Sequence, residues 1–308
     1  MHLSEVTGNI EGELLRDGVF RTLEYCTGAL EVPFLTFMGN VRFIDRMSPH
    51  ASCVLCSREL AGSLPESVEG IFITESPKEA FQTIHNALSA NPAYRLPVRE
   101  NRIGAGCRIS ERASIAEKGV EIGDRVVIED NVTIYENVKI GNDSIIRSGA
   151  VIGGRAFTFA RTKDGMLGME DLGRVEIGDR VEIFSLTHIA KGILPTDVTL
   201  ICNDAKIDAL VQIGHGTVIG ERTLIAEGAV LAGNVAIGAD SWVGINATVS
   251  NRIKVGSHAR VSLGSVVTKD VRDGQTVTGN FAIEHMDFIR NLKNLAARIK
   301  EPERSGWR

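Results

Sequence analysis

The chain has 308 residues, enough to bury a sizeable core and to divide into two domains. Its 34 Lys and Arg against 39 Asp and Glu leave a formal net charge of -5, which gives no long-range attraction to DNA or RNA and sets nucleic acid aside as a partner. Five cysteines scattered through a chain of this length make no disulfide framework and fit a reducing compartment, and no window approaches the ~20 apolar residues of a membrane span.

The amino terminus, MHLSEVTGNIEGELL, lacks a basic start followed by an apolar run, so a soluble, unexported, cytoplasmic protein is expected. VPFLTFM and GIFIT read as strands. Cys53-Val-Leu-Cys56 has the spacing of half a zinc site, but there is no second pair and the apolar Val-Leu fits a strand, so no metal is expected. Ser76-Pro77-Lys78-Glu79 reads as a capping box with Pro at the first helical position, followed by Ala80, Phe81, Ile84 and Leu88 as a buried stripe. ANPAYRLPVREN, with two prolines, reads as a linker. Residues 1–98 thus form a small α/β domain.

A six-residue beat then takes over. Aliphatic residues recur at Ile122, Ile128, Ile134, Ile140, Ile146 and Ile152, and again from Ile201 through Ile207, Ile213, Ile219, Ile225 and Leu231 to Val267. Shorter runs occupy Ile103, Ile109, Ile115 and Ile177, Ile183, Ile189. A helix needs a period near 3.6 and a half-buried strand a period of two, so neither accounts for it. Hexapeptide repeats mark a parallel β-helix, here expected to be left-handed over 102–280, with three units to a triangular coil of eighteen residues and the Ile and Val side chains stacked inside. The beat breaks over GRAFTFARTKDGMLGMEDLGR, from Gly154 to Arg174, and again where Pro195 takes an aliphatic position. Such insertions fall on the outside of a solenoid, frequently on its working face. After Val267, residues 281–308 read as a terminal amphipathic helix and tail, with Met286, Ile289, Leu292, Leu295 and Ile299 at helical spacing. That stripe would be stranded on a lone solenoid, so a homotrimer is expected.

The eighteen-residue coil singles out His215, in VQIGHGTVIG. The residue directly above it is Gly233 and the one below, in simple register, is Asp197. This column has the parts for acyl transfer from a thioester to an amine. His215 can take a proton from the amine, the Gly233 N–H can stabilise the tetrahedral oxyanion, and Asp197 can orient the ring through its other nitrogen. A thioester is already activated, so no nucleophilic cysteine and no cofactor is needed. His188 and His258 occupy other places in the repeat and form no three-His zinc cluster with His215, which sets metal hydrase chemistry aside.

The segment from Ile152 to Ile237, with its Phe-x-Phe loop (Phe157, Phe159), LGRVEIGDRVEI, KIDALVQIGHGTVIG and VLAGNVAIG, resembles the UDP-3-O-(3-hydroxyacyl)glucosamine N-acyltransferase family of lipid A (lipopolysaccharide) synthesis, or a close hexapeptide-repeat nucleotide-sugar N-acyltransferase. LTFMGNVRFIDRM and GIFITESPKEAFQTI resemble that family's uridine-binding domain, so the likeness covers nearly the whole chain. The resemblance implies an acyltransferase, not an aminoacyl transferase, that moves a (3-hydroxy)acyl group from an acyl carrier protein or acyl-CoA to a UDP-amino sugar. It implies His215 as general base, the Gly233 amide as oxyanion donor, Asn40 and Phe43 near the uracil, and Phe157 and Phe159 as substrate contacts. The chain departs from the family at Ala190-Lys191-Gly192, where Asp-Arg-Gly is usual, at Asn251-Arg252, where a second histidine is usual, and in the nucleotide-binding stretch, which lacks the usual Asn-Pro. GNFAIEHMDFIRNL resembles relatives that acylate amino sugars for surface polysaccharide, so a coenzyme A dependent N-acetyltransferase is the alternative. A catalytically silent nucleotide-sugar sensor is a third reading. From Arg290 to Arg308, six Lys or Arg against two Glu could attract an acidic carrier.

Overall fold

The computed structural model describes residues 1–163, 165–279, 282 and 284–300, the side chains of 296–300 excepted. Residues 1–98 carry α1 (Leu3–Thr7), β1 (Glu13–Arg16), β2 (Thr22–Leu23), β3 (Phe34–Met38), β4 (Ala51–Cys56), α2 (Arg58–Ala61), β5 (Gly70–Ile73) and α3 (Pro77–Leu88). The sheet order is β1-β5-β4-β3-β2, with β2 to β5 parallel and β1 antiparallel on the edge. Every residue of β4 is buried, as expected of an apolar strand covered on both faces. Cys53 packs in the cluster beneath α3 and Cys56 in the cluster on the opposite face, so the two thiols point apart.

Helix α3 starts at Pro77 and buries Ala80, Phe81, Ile84 and Leu88. The capping box is not formed: Ser76 makes no side-chain cap, and its own N–H donates to Thr74 Oγ1 instead. Pro77 has no N–H to satisfy, which removes one orphan donor from the first turn. The linker is anchored, because Tyr94 is buried and its hydroxyl lies 2.8 Å from Nδ1 of the buried His85.

From Arg102 to Val277 the chain winds into a parallel β-helix of three sheets with nine, eight and eight strands. The repeating aliphatics form one interior column from Val120 to Val271. Turns fall at left-handed backbone positions held by Asn131, Asn137, Asn234 and Asn246, and also by Arg125, Arg180, Arg222 and Arg252. Asn tolerates that conformation best; at the arginines the stacking of the coils fixes it. Regular coils pair residues eighteen apart, such as Ile207 with Ile225 and Ile213 with Leu231. The two breaks stretch the step to thirty-seven residues, Ile146 with Ile183, and then to twenty-four, Ile183 with Ile207. In both cases the extra residues leave the ladder as a loop and the column closes above them.

Those loops tie the domains together. The first contains an antiparallel hairpin, Phe159–Thr162 with Gly165–Gly168, that leans on α3. Asn86 Nδ2 donates to Gly168 O at 2.8 Å, Glu170 N donates to Asn86 Oδ1 at 3.0 Å, and His85 Nε2 lies 2.8 Å from Glu170 O. The second loop drives Ile193 and Leu194, both wholly buried, into the amino-terminal core beside Met169, Leu172, Phe20 and Phe81. Burial of each such side chain contributes about 1.5 to 3 kcal/mol, so the seam is a true core and not a sliding contact. The terminal helix, His285–Lys300, leaves Met286, Phe288, Leu292 and Leu295 exposed. Asn280, Phe281 and Ile283 of the GNFAIEH segment, and residues 301–308 of the basic tail, lie outside the described residues. Among the described residues no helix is long and apolar enough to cross a membrane.

Candidate active site

His215 sits in the turn between the strands Gln212–Ile213 and Val218–Ile219. That turn is clamped above and below. Gly216, at φ +65°, donates its N–H to Thr199 Oγ1 at 2.9 Å, the buried Thr217 hydroxyl donates to Ala232 O at 3.1 Å, and Asn234 N donates to His215 O at 2.7 Å. The imidazole therefore projects from a rigid corner.

The next coil places Gly233 against the ring. A Cβ at Gly233 would lie 2.4 Å from His215 Nε2, so the imidazole occupies the space that any other side chain would need. The Gly233 N–H has no hydrogen-bond acceptor among the described residues. An unspent amide and an imidazole nitrogen on one corner are the geometry needed to hold one reacting carbonyl. Burial pushes the His215 pKa below its usual value and the positive charge of Arg252 adds to that, so the ring is held as the neutral base.

Asp197 does not orient the ring. His215 Nδ1 is buried without a hydrogen-bond partner among the described residues, and the Asp197 carboxylate turns into its own loop. Its Oδ2 accepts from Leu194 N at 3.0 Å while Asp197 N donates to Leu194 O at 2.9 Å. The six residues added to this coil are the cause. They carry Ile193 and Leu194 into the seam, and the carboxylate closes the loop that presents them.

Three residues not singled out as site residues from the sequence converge here, Arg252 from the β-helix itself and Tyr25 and Glu24 from across the seam. Arg252, one coil above Asn234 on the same corner, donates its N–H to Gly233 O at 3.1 Å, and its guanidinium lies 5.5 Å from the centre of the Tyr25 ring. Burial pushes the Tyr25 hydroxyl up to about 12. Burial also raises Glu24 to about 7, opposed by the Tyr25 N–H that its carboxylate accepts and reinforced by the negative charge of Asp197. Asp197 is itself raised by burial. Only tertiary packing joins these groups, and no sequence spacing announces it.

Asn40 caps the short 3-10 helix at residues 41–46, its Oδ1 accepting from Arg42 N at 3.0 Å. Phe43 lies on that helix and is 36% exposed, free to present its ring. The helix follows β3 at the carboxyl edge of the parallel strands, where open α/β sheets bind ligands. Phe157 and Phe159 pack on one another with ring centres 5.2 Å apart, and Phe157 is 93% exposed. Lys191 is buried and lies 3.7 Å from Glu136. Among the described residues no group of three His, Cys, Asp or Glu could hold a metal ion.

Fold, register and turn chemistry together define a hexapeptide-repeat parallel β-helix protein, and the bacterial transferase hexapeptide model (six repeats) matches residues 119–154 and 199–233. Among individual proteins, the chain is similar to UDP-3-O-acylglucosamine N-acyltransferase. It is 34% identical to that protein of Delftia acidovorans over 51% of this chain and 48% of the relative, and 31% identical to that of Janthinobacterium sp. over 67% and 55%. The chain thus spans about half the length of the curated relatives it matches. The solved UDP-N-acetylglucosamine acyltransferase from Bacteroides fragilis superposes with a TM-score of 0.53 at 24% identity, over 70% of this chain and 84% of that one, which establishes the shared fold.

Proposed function

We propose that this protein is an N-acyltransferase that moves a (3-hydroxy)acyl group from a thioester to the amine of a UDP-amino sugar, as in lipid A synthesis. The observation that carries the reading is the His215–Gly233 corner: a half-buried imidazole, its pKa pushed down by burial, packed on a glycine whose amide is unspent. The amine attacks the thioester carbonyl and His215 removes the amine proton as the C–N bond forms. The Gly233 N–H stabilises the oxyanion, and collapse of the tetrahedral intermediate expels the thiolate, which recovers the proton from the imidazolium. Uridine stacks on Phe43 beside Asn40 at the carboxyl edge of the sheet, and the solvent-facing Phe157 and Phe159 contact substrate. The donor is an acyl carrier protein or acyl-CoA. The exposed apolar side chains of the terminal helix support assembly as a homotrimer, and a nucleotide-activated sugar and a carrier thioester as substrates support a cytoplasmic location.

The test is turnover of a UDP-amino sugar with an acyl-carrier thioester by wild type and His215→Ala. Loss of at least ~100-fold in kcat with an unchanged melting temperature is expected for a general base. Near-normal turnover in the variant would end the assignment.

A further inference from the structure

One corner of the β-helix carries a column of charge that follows the coils and not the sequence period. Its left-handed positions, read up the solenoid, are Arg125, Asp143, Arg180, Asp204, Arg222 and Asp240, with His258 above them and Gly106 and Gly274 at the two ends. From Arg125 to Asp240 the sign alternates at every step. The steps are eighteen residues, thirty-seven, twenty-four, eighteen and eighteen, so the alternation survives both insertions that break the six-residue beat. A fixed sequence repeat cannot generate it; only the count of coils does. Among the described residues the left-handed positions of the other two corners, such as Leu186, Leu210 and Asn246 on one and Asn137, Asn234 and Arg252 on the other, hold no Asp or Glu.

Within the column the charges are joined in pairs. Arg125, Arg180 and Arg222 each donate two hydrogen bonds, through Nε and Nη2 at 2.6 to 2.8 Å, to the aspartate one coil above. Those bonds hold the carboxyls of Asp143, Asp204 and Asp240 below the ordinary range, and the charge of the next arginine, Arg180 or Arg222, adds to this at Asp143 and Asp204. The side chains stand in solvent, from 29% exposed at Asp240 to 60% at Arg125, so the pairs add little to the stability of the folded chain.

The core, by contrast, cannot count coils. In the sheet that adjoins this corner the inward residues are Ile128, Ile146, Ile183, Ile207, Ile225, Val243 and Val261. A strand docked one coil too far along still sets one aliphatic side chain on another, so the interior leaves this error nearly unopposed. The charged corner opposes it. If the Asp204 coil is looped out, Arg222 lands on Arg180, and a bidentate pair gives way to a like-charge contact. We propose that the Arg–Asp column sets the register of the coils during folding, by attracting each coil to its true neighbour and repelling the coil one step further along. This inference stands apart from the nucleotide-sugar reading.

The experiment refolds the full chain from urea at low ionic strength, where exposed charges are least screened. Wild type is compared with a neutral column, carrying Arg125→Gln, Arg180→Gln, Arg222→Gln, Asp143→Asn, Asp204→Asn and Asp240→Asn, and with an inverted column, carrying Asp at those arginines and Arg at those aspartates. The fraction that regains protease resistance and wild-type sedimentation is measured, together with the unfolding rate of the recovered native fraction. The neutral column should refold with a yield about fivefold lower, the partition that one charge contact of ordinary strength sets between right and wrong neighbours. Its native fraction should unfold within about twofold of the wild-type rate, because exposed pairs stabilise little. The inverted column should refold as wild type does, because the alternation is kept. A neutral column that refolds like wild type overturns the proposal. So does a loss of yield matched by an equal rise in unfolding rate, which would make the column a plain stabiliser, and so does an inverted column that refolds no better than the neutral one.

Discussion

Placing a methyl group at Gly233 tests the packing at the centre of the site. The new Cβ would lie 2.4 Å from His215 Nε2, 2.7 Å from Cε1 and 2.9 Å from Cδ2, and Gly233 is not among the residues at positive φ, so the ring, and not the backbone, is the obstacle. Carbon contacts settle near ~3.5 to 4 Å, which requires the imidazole to retreat by roughly 1 Å. Overpacking of that size costs about 1 to 3 kcal/mol, and a 1 Å misplacement of a catalytic group costs about 100-fold in rate. In the His215→Ala background the methyl has room. Urea unfolding of wild type, Gly233→Ala, His215→Ala and the double variant, at one fixed protein concentration, should therefore show Gly233→Ala destabilising only when the histidine is present, with a coupling of about 1 to 3 kcal/mol. Equal cost in both backgrounds would mean that the ring does not occupy the space beside Gly233.

Two pH effects follow from the seam. Because His215 is depressed below 6.5 by burial and then by Arg252, the acid limb of kcat/KM should fall below pH 6.5, rate rising as the ring loses its proton, and Arg252→Gln should move that limb upward toward 6.5. Glu24 has the opposite sign. Its folded pKa of about 7 stands above the 4.5 usual for a glutamate, so its proton is held more tightly in the fold, and stability is lost as pH rises from 4.5 through 7. At about 1.4 kcal/mol per unit this amounts to about 3 kcal/mol at pH 8. Glu24→Gln should remove that slope and stabilise the protein at pH 8, and denaturant titrations at pH 5 and pH 8 check it.

The β-helix was legible because its core repeats every six residues, and one eighteen-residue step sufficed to pair His215 with Gly233. Simple register failed at Asp197, where added residues serve the seam: the carboxylate closes a loop whose purpose, burying Ile193 and Leu194 in the other domain, no period encodes. The same limit hid Tyr25 and Glu24, which reach the site only because two loops dock the amino-terminal domain. Arg252 was visible as a departure from a resemblance; its stacking on Tyr25 was not. The stretch from Gly154 to Arg174 read as an interruption and is an ordered hairpin on α3, and Tyr94 in the proline-rich linker is a buried partner of His85.

The most direct measurement is a structure of the protein with a bound UDP-amino sugar. The account predicts the sugar amine within about 3.2 Å of a His215 ring nitrogen, the reach required of a general base, with the uracil against Phe43. An amine bound away from that corner, or an imidazole closed off from the ligand, would contradict it.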